Sequence, residues 1–192
     1  MIRGAMSAAK NLRASVEEYL AYDLVNEGRH EFLNGEILAM AGASDAHVVI
    51  HGNLQFLVGR HRRGGPCRPL GPDLRVFVGE AGNYLYPDLV VVCGQREYAP
   101  TNPPSLLNPK VVFEVISPST EALDRGPKAA HYRLRASVEA YVLICSDRRS
   151  VEVQTRGADG AWSLHEATHG SIRIGPLELE LELEPLYEAW EG

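Results

Sequence analysis

The chain has 192 residues, of which 45% are apolar and 23% charged, and its formal net charge is −6. This length and composition fit one globular domain, and no apolar run approaches the roughly 20 residues of a membrane-spanning helix. The first residues lack the apolar core of a signal peptide, so we expect a cytoplasmic protein. The acidic balance argues against a protein that coats nucleic acid through bulk electrostatics, although a site that gathers cations also concentrates carboxylates.

Hydrophobic periodicity predicts strands and helices mixed around one sheet, an α/β or α+β domain. We place this single domain at 15–192, after an N-terminal extension over 1–14. The elements expected in chain order are a helix over 15–22, a hairpin turning at 34–35, a helix over 45–62, strands over 74–78, 86–93 and 111–116, a helix over 124–136, and strands over 140–145, 150–156 and 177–184.

Three of these elements carry specific signals. Ser15 with Glu18 has the spacing of a capping box, which marks the start of a helix. Asn34 and Gly35 both tolerate positive φ, so they predict a two-residue hairpin turn. The alternating residues LELELELE at 177–184 predict a half-buried strand with its leucines inward.

The three cysteines, Cys67, Cys93 and Cys145, are far apart in the sequence, and no CxxC spacing is present. Neither a zinc ribbon nor a disulfide framework is therefore indicated. Free cysteine is among the most buried residue types, so we expect three buried, reduced thiols.

Two carboxylates stand at predicted buried strands. Glu114 lies within VVFEVI, which is apolar on both faces as a central strand is. A carboxylate in such a strand is costly unless it is paired or bound to a metal, which favours a functional residue over a structural salt bridge. Asp88 precedes the apolar run LVVVC, where a simple turn residue is the alternative.

Oxygen ligands of this kind suit Mg²⁺, or Mn²⁺ in its place. Mg²⁺ keeps several waters and takes one or two protein carboxylates. Asp88 and Glu114 would supply these carboxylates, and the backbone carbonyl of Val115 a further oxygen.

Three segments, YPDLVVV, FEVISPSTEALDRGPKAAHY and VEAYVLI, resemble the Uma-type restriction endonuclease family of the PD-(D/E)XK superfamily. The similarity runs over about 15–188, and NGE at 34–36 and His47 also fit the family's pattern. The resemblance implies a restriction-endonuclease-like fold, with a mixed central sheet flanked by helices. It also implies a metal-dependent endonuclease that hydrolyses DNA.

By this resemblance, Asp88 and Glu114 correspond to the metal-binding aspartate and the (D/E) of the motif. The lysine expected two positions after Glu114 is absent, because Ile116 stands there. In this family the lysine is displaced to the following helix, where Lys128 fits, with Tyr132 on the same helix face. We expect Lys128 on an exposed helix surface, with its ammonium directed at the two carboxylates to assist the attacking water.

Further residues are candidates for supporting roles. Glu36 matches the family's early glutamate, which completes or flanks the metal site, although an outward hairpin glutamate is the alternative. Asp124 and Arg125 fit the family pattern, and the residues themselves indicate only a helix-entry cap. His47 is expected to pack or to contact a phosphate, and Asp73 is a further acidic candidate or a turn residue.

Three functions compete. The first is an active Mg²⁺-dependent endonuclease, expected to form a homodimer because cutting two strands needs two sites. The second is a non-catalytic nucleic-acid-binding or interaction protein that retains the nuclease fold. The third is a zinc hydrolase built on His47 and His51, which are spaced i, i+4 but lack a third ligand at a convincing spacing.

Overall fold

The computed structural model describes residues 12–40, 42–79 and 82–191; most of the predicted N-terminal extension lies outside them. The helices are α1 (Val16–Val25), α2 (Asp45–His61), α3 (Glu121–Leu123), α4 (Ala129–Leu134) and α5 (Leu183–Leu186), with a π-helical turn over Asp124–Lys128 and a 3₁₀ turn over Gly175–Leu177. The strands are β1 (Leu12–Arg13), β2 (His30–Leu33), β3 (Glu36–Ala39), β4 (Cys67–Leu70), β5 (Val76–Val78), β6 (Asn83–Leu85), β7 (Leu89–Cys93), β8 (Tyr98–Ala99), β9 (Ser105–Leu106), β10 (Val111–Ile116), β11 (Ala140–Cys145), β12 (Val151–Arg156), β13 (Trp162–Ala167), β14 (Ser171–Ile174) and β15 (Leu179–Glu182).

The centre of the molecule is a six-stranded mixed sheet in the order β13-β12-β11-β10-β7-β4. Strands β10 and β11 run parallel, and the other neighbours run antiparallel. Both β10 and β11 are buried along their whole length, which explains why their sequences are apolar on both faces. Their predicted bounds, 111–116 and 140–145, are confirmed.

Each face of the central sheet packs against a separate layer. One face carries α2, α5 and the β14–β15 hairpin, in a core that includes Leu54 and Phe113. The other face carries α4 and a second sheet of short strands, ordered β1-β3-β2-β6-β5-β9-β8, in a core that includes Val76 and Tyr132. The candidate residues of β10 therefore lie between two layers of structure.

The local signals in the N-terminal part are confirmed. Ser15 caps α1 with the full capping box to Glu18, and Ser44 caps α2 through the backbone N–H of His47. The hairpin turns at Asn34-Gly35. The chain joins the sheet slightly earlier than predicted, because Leu12–Arg13 pair with β3.

Several predicted bounds are wrong. The helix predicted over 124–136 begins at Glu121 and passes through the π-helical turn, which contains Pro127. The predicted strand 177–184 is a strand only over Leu179–Glu182, where alternate residues are buried. Before it Glu178 takes a left-handed conformation, and after it α5 begins at Leu183. Alternation shows which face is buried but not where strand pairing stops.

The prediction of three reduced thiols is wrong for two of them. Cys67 and Cys93 form a disulfide, and only Cys145 is free and buried among the described residues. The two partners face each other in the antiparallel pair of β4 and β7. The sequence did not reveal this, because β4 has the sequence CRPL, whose proline is unusual in a strand. Within the described ranges, no helix is long and apolar enough to cross a membrane.

Candidate active site

Asp88 and Glu114 lie side by side at two neighbouring strands of the central sheet. Strand β10 pairs antiparallel with β7, and Phe113 lies opposite Leu89, so Glu114 comes next to Asp88. The backbone N–H of Asp88 donates to Glu114 Oε2 at 3.3 Å, and that of Val115 donates to Asp88 Oδ2 at 2.7 Å. The structure thus brings together the two carboxylates that the sequence suggested, next to the backbone of Val115.

The side chain of Lys128 extends toward Glu114. Its Nζ lies 3.0 Å from Glu31 Oε2, 3.2 Å from Asp124 Oδ1 and 3.5 Å from Glu114 Oε1. The π-helical turn that precedes α4 ends at Lys128, and such turns occur often at functional sites. The ammonium pairs with Glu114, one of the two carboxylates it was expected to reach, but the expectation of an exposed lysine is wrong, because α4 packs against the sheet and leaves the residue only 6% exposed.

Glu31 is a member of this cluster that the sequence reasoning missed. It lies on β2, it is buried, and its Oε1 accepts a hydrogen bond of 3.0 Å from the backbone N–H of Tyr86. A signal was present, because the period of two along β2 places Glu31 on the same face as the core residue Leu33. A carboxylate on the apolar face of a strand is a candidate for function.

The cluster holds more negative than positive charge. The carboxylates of Glu31, Glu114 and Asp124 surround the ammonium of Lys128, and a fourth carboxylate residue, Asp88, adjoins Glu114. Burial raises the pKa of Glu114 well above its usual value, and the neighbouring carboxylates add to this, while Lys128 opposes it. Burial alone would lower the pKa of Lys128, but Glu114, Glu31 and Asp124 outweigh it and raise that pKa. Further positive charge would therefore be accommodated here.

One oxygen of the cluster lacks a hydrogen-bond partner. Glu114 Oε1 is buried, and among the described residues no group donates a hydrogen bond to it. A buried acceptor left unsatisfied is costly. Its contact with the Lys128 ammonium, at 3.5 Å, is an ion pair that is too long for a good hydrogen bond.

Two histidines of α2 contact Asp88. His47 Nε2 lies 3.1 Å from Asp88 Oδ1, and His51 Nε2 donates to the Asp88 carbonyl at 3.0 Å. Burial would lower the pKa of His47, but hydrogen bonds to Asp88 and to the backbone carbonyl of Val115 raise it overall. The side chains of Asp88 and His47, 13% and 22% exposed, mark the side on which the cluster approaches solvent.

The zinc site suggested by His47 and His51 gains no third ligand. Within the described ranges, no three His, Cys, Asp or Glu side chains are arranged to hold a metal ion. The two imidazoles instead share Asp88, with their ring centres 6.4 Å apart.

The remaining candidates occupy different surroundings. Tyr132 is fully buried, and burial followed by the nearby carboxylates raises the pKa of its hydroxyl. Arg125 pairs with Glu121 and with Glu152 of β12. Two further ion pairs are formed by candidates nearer the surface: Glu36 with Arg13 at 3.7 Å, and Asp73 with Arg29 at 3.6 Å.

Comparisons with known proteins identify the family of this chain. Residues 16–187 match the model of Uma2, a family described as "Putative restriction endonuclease". The chain belongs to the Uma2 family. Among its relatives, "Uncharacterized protein slr1290" of Synechocystis is 35% identical over 176 residues, 91% of this chain and 92% of that protein. A second Synechocystis protein, "Uncharacterized protein sll1609", is 29% identical over 149 residues, 78% of this chain and 84% of that protein.

The fold comparison extends this result. The crystal structure of a "putative nuclease belonging to DUF820" from Anabaena variabilis has a TM-score of 0.72 and 16% identity, and covers 91% of this chain and 97% of that chain. This Uma2 protein therefore has the restriction-endonuclease-like fold that the sequence resemblance implied. Two members of its buried carboxylate cluster stand at neighbouring strands of that fold: Glu114 lies in β10, and Asp88 directly precedes β7.

Proposed function

We propose that this Uma2 protein is a divalent-metal-dependent endonuclease that hydrolyses phosphodiester bonds of DNA. One observation supports this most directly: the carboxylates of Glu31, Glu114 and Asp124 pair with one lysine, a fourth carboxylate residue, Asp88, adjoins Glu114, and Glu114 Oε1 accepts no hydrogen bond among the described residues. A purely structural ion pair needs no such excess of acid, whereas a site that accepts a divalent cation does. Membership of a restriction endonuclease family supports the same reaction class.

The residues present fit Mg²⁺ or Mn²⁺. The carboxylates of Asp88 and Glu114 and the backbone carbonyl of Val115 are all oxygen ligands, which these ions prefer. When bound, such an ion lowers the pKa of a water and polarises a phosphoryl oxygen. His47 and His51 hold Asp88 in position through its side chain and its carbonyl.

Lys128 has the second role in this proposal. Glu31 and Asp124 hold its ammonium beside Glu114, within ion-pairing distance of all three carboxylates. The raised pKa keeps Lys128 protonated, so it orients the attacking water as a donor and offsets negative charge that develops on the phosphoryl group. Tyr132 packs beneath the cluster and supports it.

DNA reaches the site from the side on which Asp88 and His47 approach solvent. That side also holds the N-terminal end of α2, where the positive end of the helix dipole favours a phosphate. Glu36, Asp73 and Arg125 remain predictions of supporting roles, and a cytoplasmic location remains an expectation. Single substitutions of these three residues test their roles in the same cleavage assay.

The test is cleavage of supercoiled plasmid by the whole chain with Mg²⁺, with Mn²⁺ and with EDTA. We expect nicked or linear product only with a divalent metal, and a loss of roughly 10²-fold or more in Asp88→Asn and Glu114→Gln. Glu184→Gln is the matched control, because Glu184 is an exposed glutamate paired with Arg149. Wild-type rates in the Glu114→Gln variant contradict the proposal. DNA binding without cleavage in any metal supports the non-catalytic alternative instead.

A further inference from the structure

Helix α2 exposes an apolar stripe on the side that faces away from the core. Its inward side buries Ile50, Leu54 and Val58 against the central sheet. On the outward side, Val48 is 56% exposed and Phe56 is 65% exposed. These two exposed apolar side chains lie on one face of the helix, on either side of Gly52.

The stripe is symmetric about Gly52. Val48 stands four residues before Gly52 and Phe56 four residues after it, which places each about 6 Å from Gly52 along the helix axis. Asp45 stands seven residues before Gly52, and Arg60 eight after it. Both of these are exposed. A negative charge at one end and a positive charge at the other, at similar distances, make the helix complementary to itself when reversed.

Gly52 itself has no role in the fold of its own chain that the structure shows. A Cβ built at this position meets nothing within 4 Å, and glycine inside a helix costs about 1 kcal/mol relative to alanine. Its lack of a side chain leaves a flat centre between Val48 and Phe56, so another helix can come close at this point. The glycine is therefore better explained by a partner than by the monomer.

We propose that α2 is a self-association surface, on which a second copy of this chain packs its own α2 antiparallel about a two-fold axis near Gly52. In a two-fold interface each residue contacts its counterpart at the reversed position. Val48 then lies at the level of Phe56 of the second copy, and Asp45 near Arg60 of that copy. The guanidinium of Arg60 lies 5.7 Å from the centre of the Phe56 ring, so the positive charge of Arg60 lies beside the apolar stripe.

Such an interface is small, because one pair of helices forms most of it. Small interfaces are commonly weak and transient, so the dimer should dissociate on dilution. The same helix carries His47 and His51, which hold Asp88, so each copy would bring one candidate active site close to the interface. The association itself does not depend on the proposed nuclease function, because it is measured on the protein alone.

The first test is sedimentation velocity of the full chain over protein concentrations that span the micromolar range. We expect a reversible monomer–dimer equilibrium, weakened at least tenfold in Val48→Asp and in Gly52→Arg. Leu164→Asp is the matched control, since Leu164 is 57% exposed on β13 and lies outside the stripe. Circular dichroism melts confirm that each variant is folded, and the open space around Gly52 favours folding of Gly52→Arg.

Charge reversal tests the antiparallel arrangement. Asp45→Arg alone and Arg60→Asp alone should each weaken the dimer, because each places like charges together, and the double variant should restore it. A wild-type chain that stays monomeric at every concentration overturns the proposal. So do a dimer that Leu164→Asp disrupts while the α2 variants do not, and a stripe that DNA covers in a monomeric complex. Recovery in the charge-reversed double variant supports it even if Gly52→Arg fails to fold.

Discussion

Two buried cations in this protein show how a structural ionic cluster differs from the one proposed as an active site. Arg75 is buried in the layer of short strands, and all of its nitrogens are matched by acceptors. Its Nη1 donates to Asp23 Oδ2 at 2.8 Å, its Nε to Ser105 Oγ at 2.8 Å, and its Nη2 to the carbonyl of Pro103 at 2.6 Å. Lys128 is buried nearly as deeply, but it faces several carboxylates at once.

The difference lies in charge balance. Around Arg75, one guanidinium meets one carboxylate, and Asp23 also accepts a hydrogen bond from the hydroxyl of Tyr86 at 3.0 Å. Around Lys128, one ammonium meets an excess of acid, and Glu114 Oε1 accepts no hydrogen bond among the described residues, although it pairs with Lys128 at 3.5 Å. A balanced cluster fixes a fold, whereas an unbalanced one keeps a destabilising charge that a bound cation can relieve. Substitutions in the two clusters test this distinction.

Lys128→Met should have the largest effect. It leaves Glu31, Glu114 and Asp124 buried together without a cation, so the free energy of unfolding should fall by about 3–5 kcal/mol. Turnover should also fall by roughly 10²-fold or more, because in the proposed mechanism this ammonium offsets charge on the phosphoryl group. Urea denaturation and single-turnover plasmid cleavage on one preparation measure both quantities.

A double variant separates the two roles of Lys128. Adding Glu31→Gln to Lys128→Met removes one of the stranded charges, so stability should partly return while cleavage should not. Lys110→Met is the matched control, because Lys110 pairs with Glu139 at a more exposed position. If the double variant regained both stability and cleavage, Lys128 would have only a structural role.

Arg75→Met should destabilise the fold by a similar or slightly smaller amount, because it leaves Asp23 buried without its cation. Cleavage per folded molecule should be unchanged, since the Arg75 guanidinium donates only to acceptors outside the four-carboxylate cluster. Activity normalised to the folded fraction, measured well below the melting temperature, checks this. A loss of normalised activity as large as that of Lys128→Met would remove the distinction between the two clusters.

Much of the candidate site was accessible from sequence because its strands carry local signals. Glu114 stands out as a carboxylate in a strand that is apolar on both faces, and Asp88 precedes the neighbouring apolar run. Glu31 was missed because its role depends on the short-stranded layer packing over the central sheet, which is a long-range contact. The same limitation applies to Cys67 and Cys93, whose pairing depends on the register of two strands. The burial of Lys128 depends in turn on how α4 packs, which its own sequence does not determine.

Glu114→Gln should raise the stability of the metal-free protein and reduce the stabilisation that added metal provides. Without metal, the variant removes a buried negative charge from an acid-rich cluster, so it should be more stable than wild type by about 0.5–2 kcal/mol. Adding Mg²⁺ or Mn²⁺ should raise the melting temperature of wild type, since a ligand at 100 times its Kd contributes about 2.7 kcal/mol. The variant should show little of this rise.

Differential scanning fluorimetry with and without metal measures these shifts, with Glu184→Gln as the control variant. Destabilisation of the metal-free Glu114→Gln protein would show that Glu114 is needed for the fold, and would count against an unbalanced cluster. An equal metal-induced rise in both proteins would place the cation elsewhere.

The smallest expected effect is on the pH dependence of stability at the Arg75 cluster. Burial, helped by Asp23, raises the pKa of Tyr86 to about 12, from an ordinary value of 10.0. Between these two values the folded state holds the hydroxyl proton more tightly than the unfolded state, so stability that depends on Tyr86 is lost as pH rises through this window.

Tyr86→Phe removes the hydrogen bond to Asp23, at a cost of about 1 kcal/mol near neutral pH. The variant also lacks the titrating hydroxyl, so it does not lose stability through this ionisation. The variant should therefore be less stable than wild type at pH 8, and the gap should narrow steadily towards pH 11 in urea denaturation. Other buried tyrosines, such as Tyr19, titrate in both proteins and cancel in the comparison. A gap that stays constant over this range would mean that Tyr86 ionises equally in the folded and unfolded states, and that the Arg75 cluster does not hold its proton.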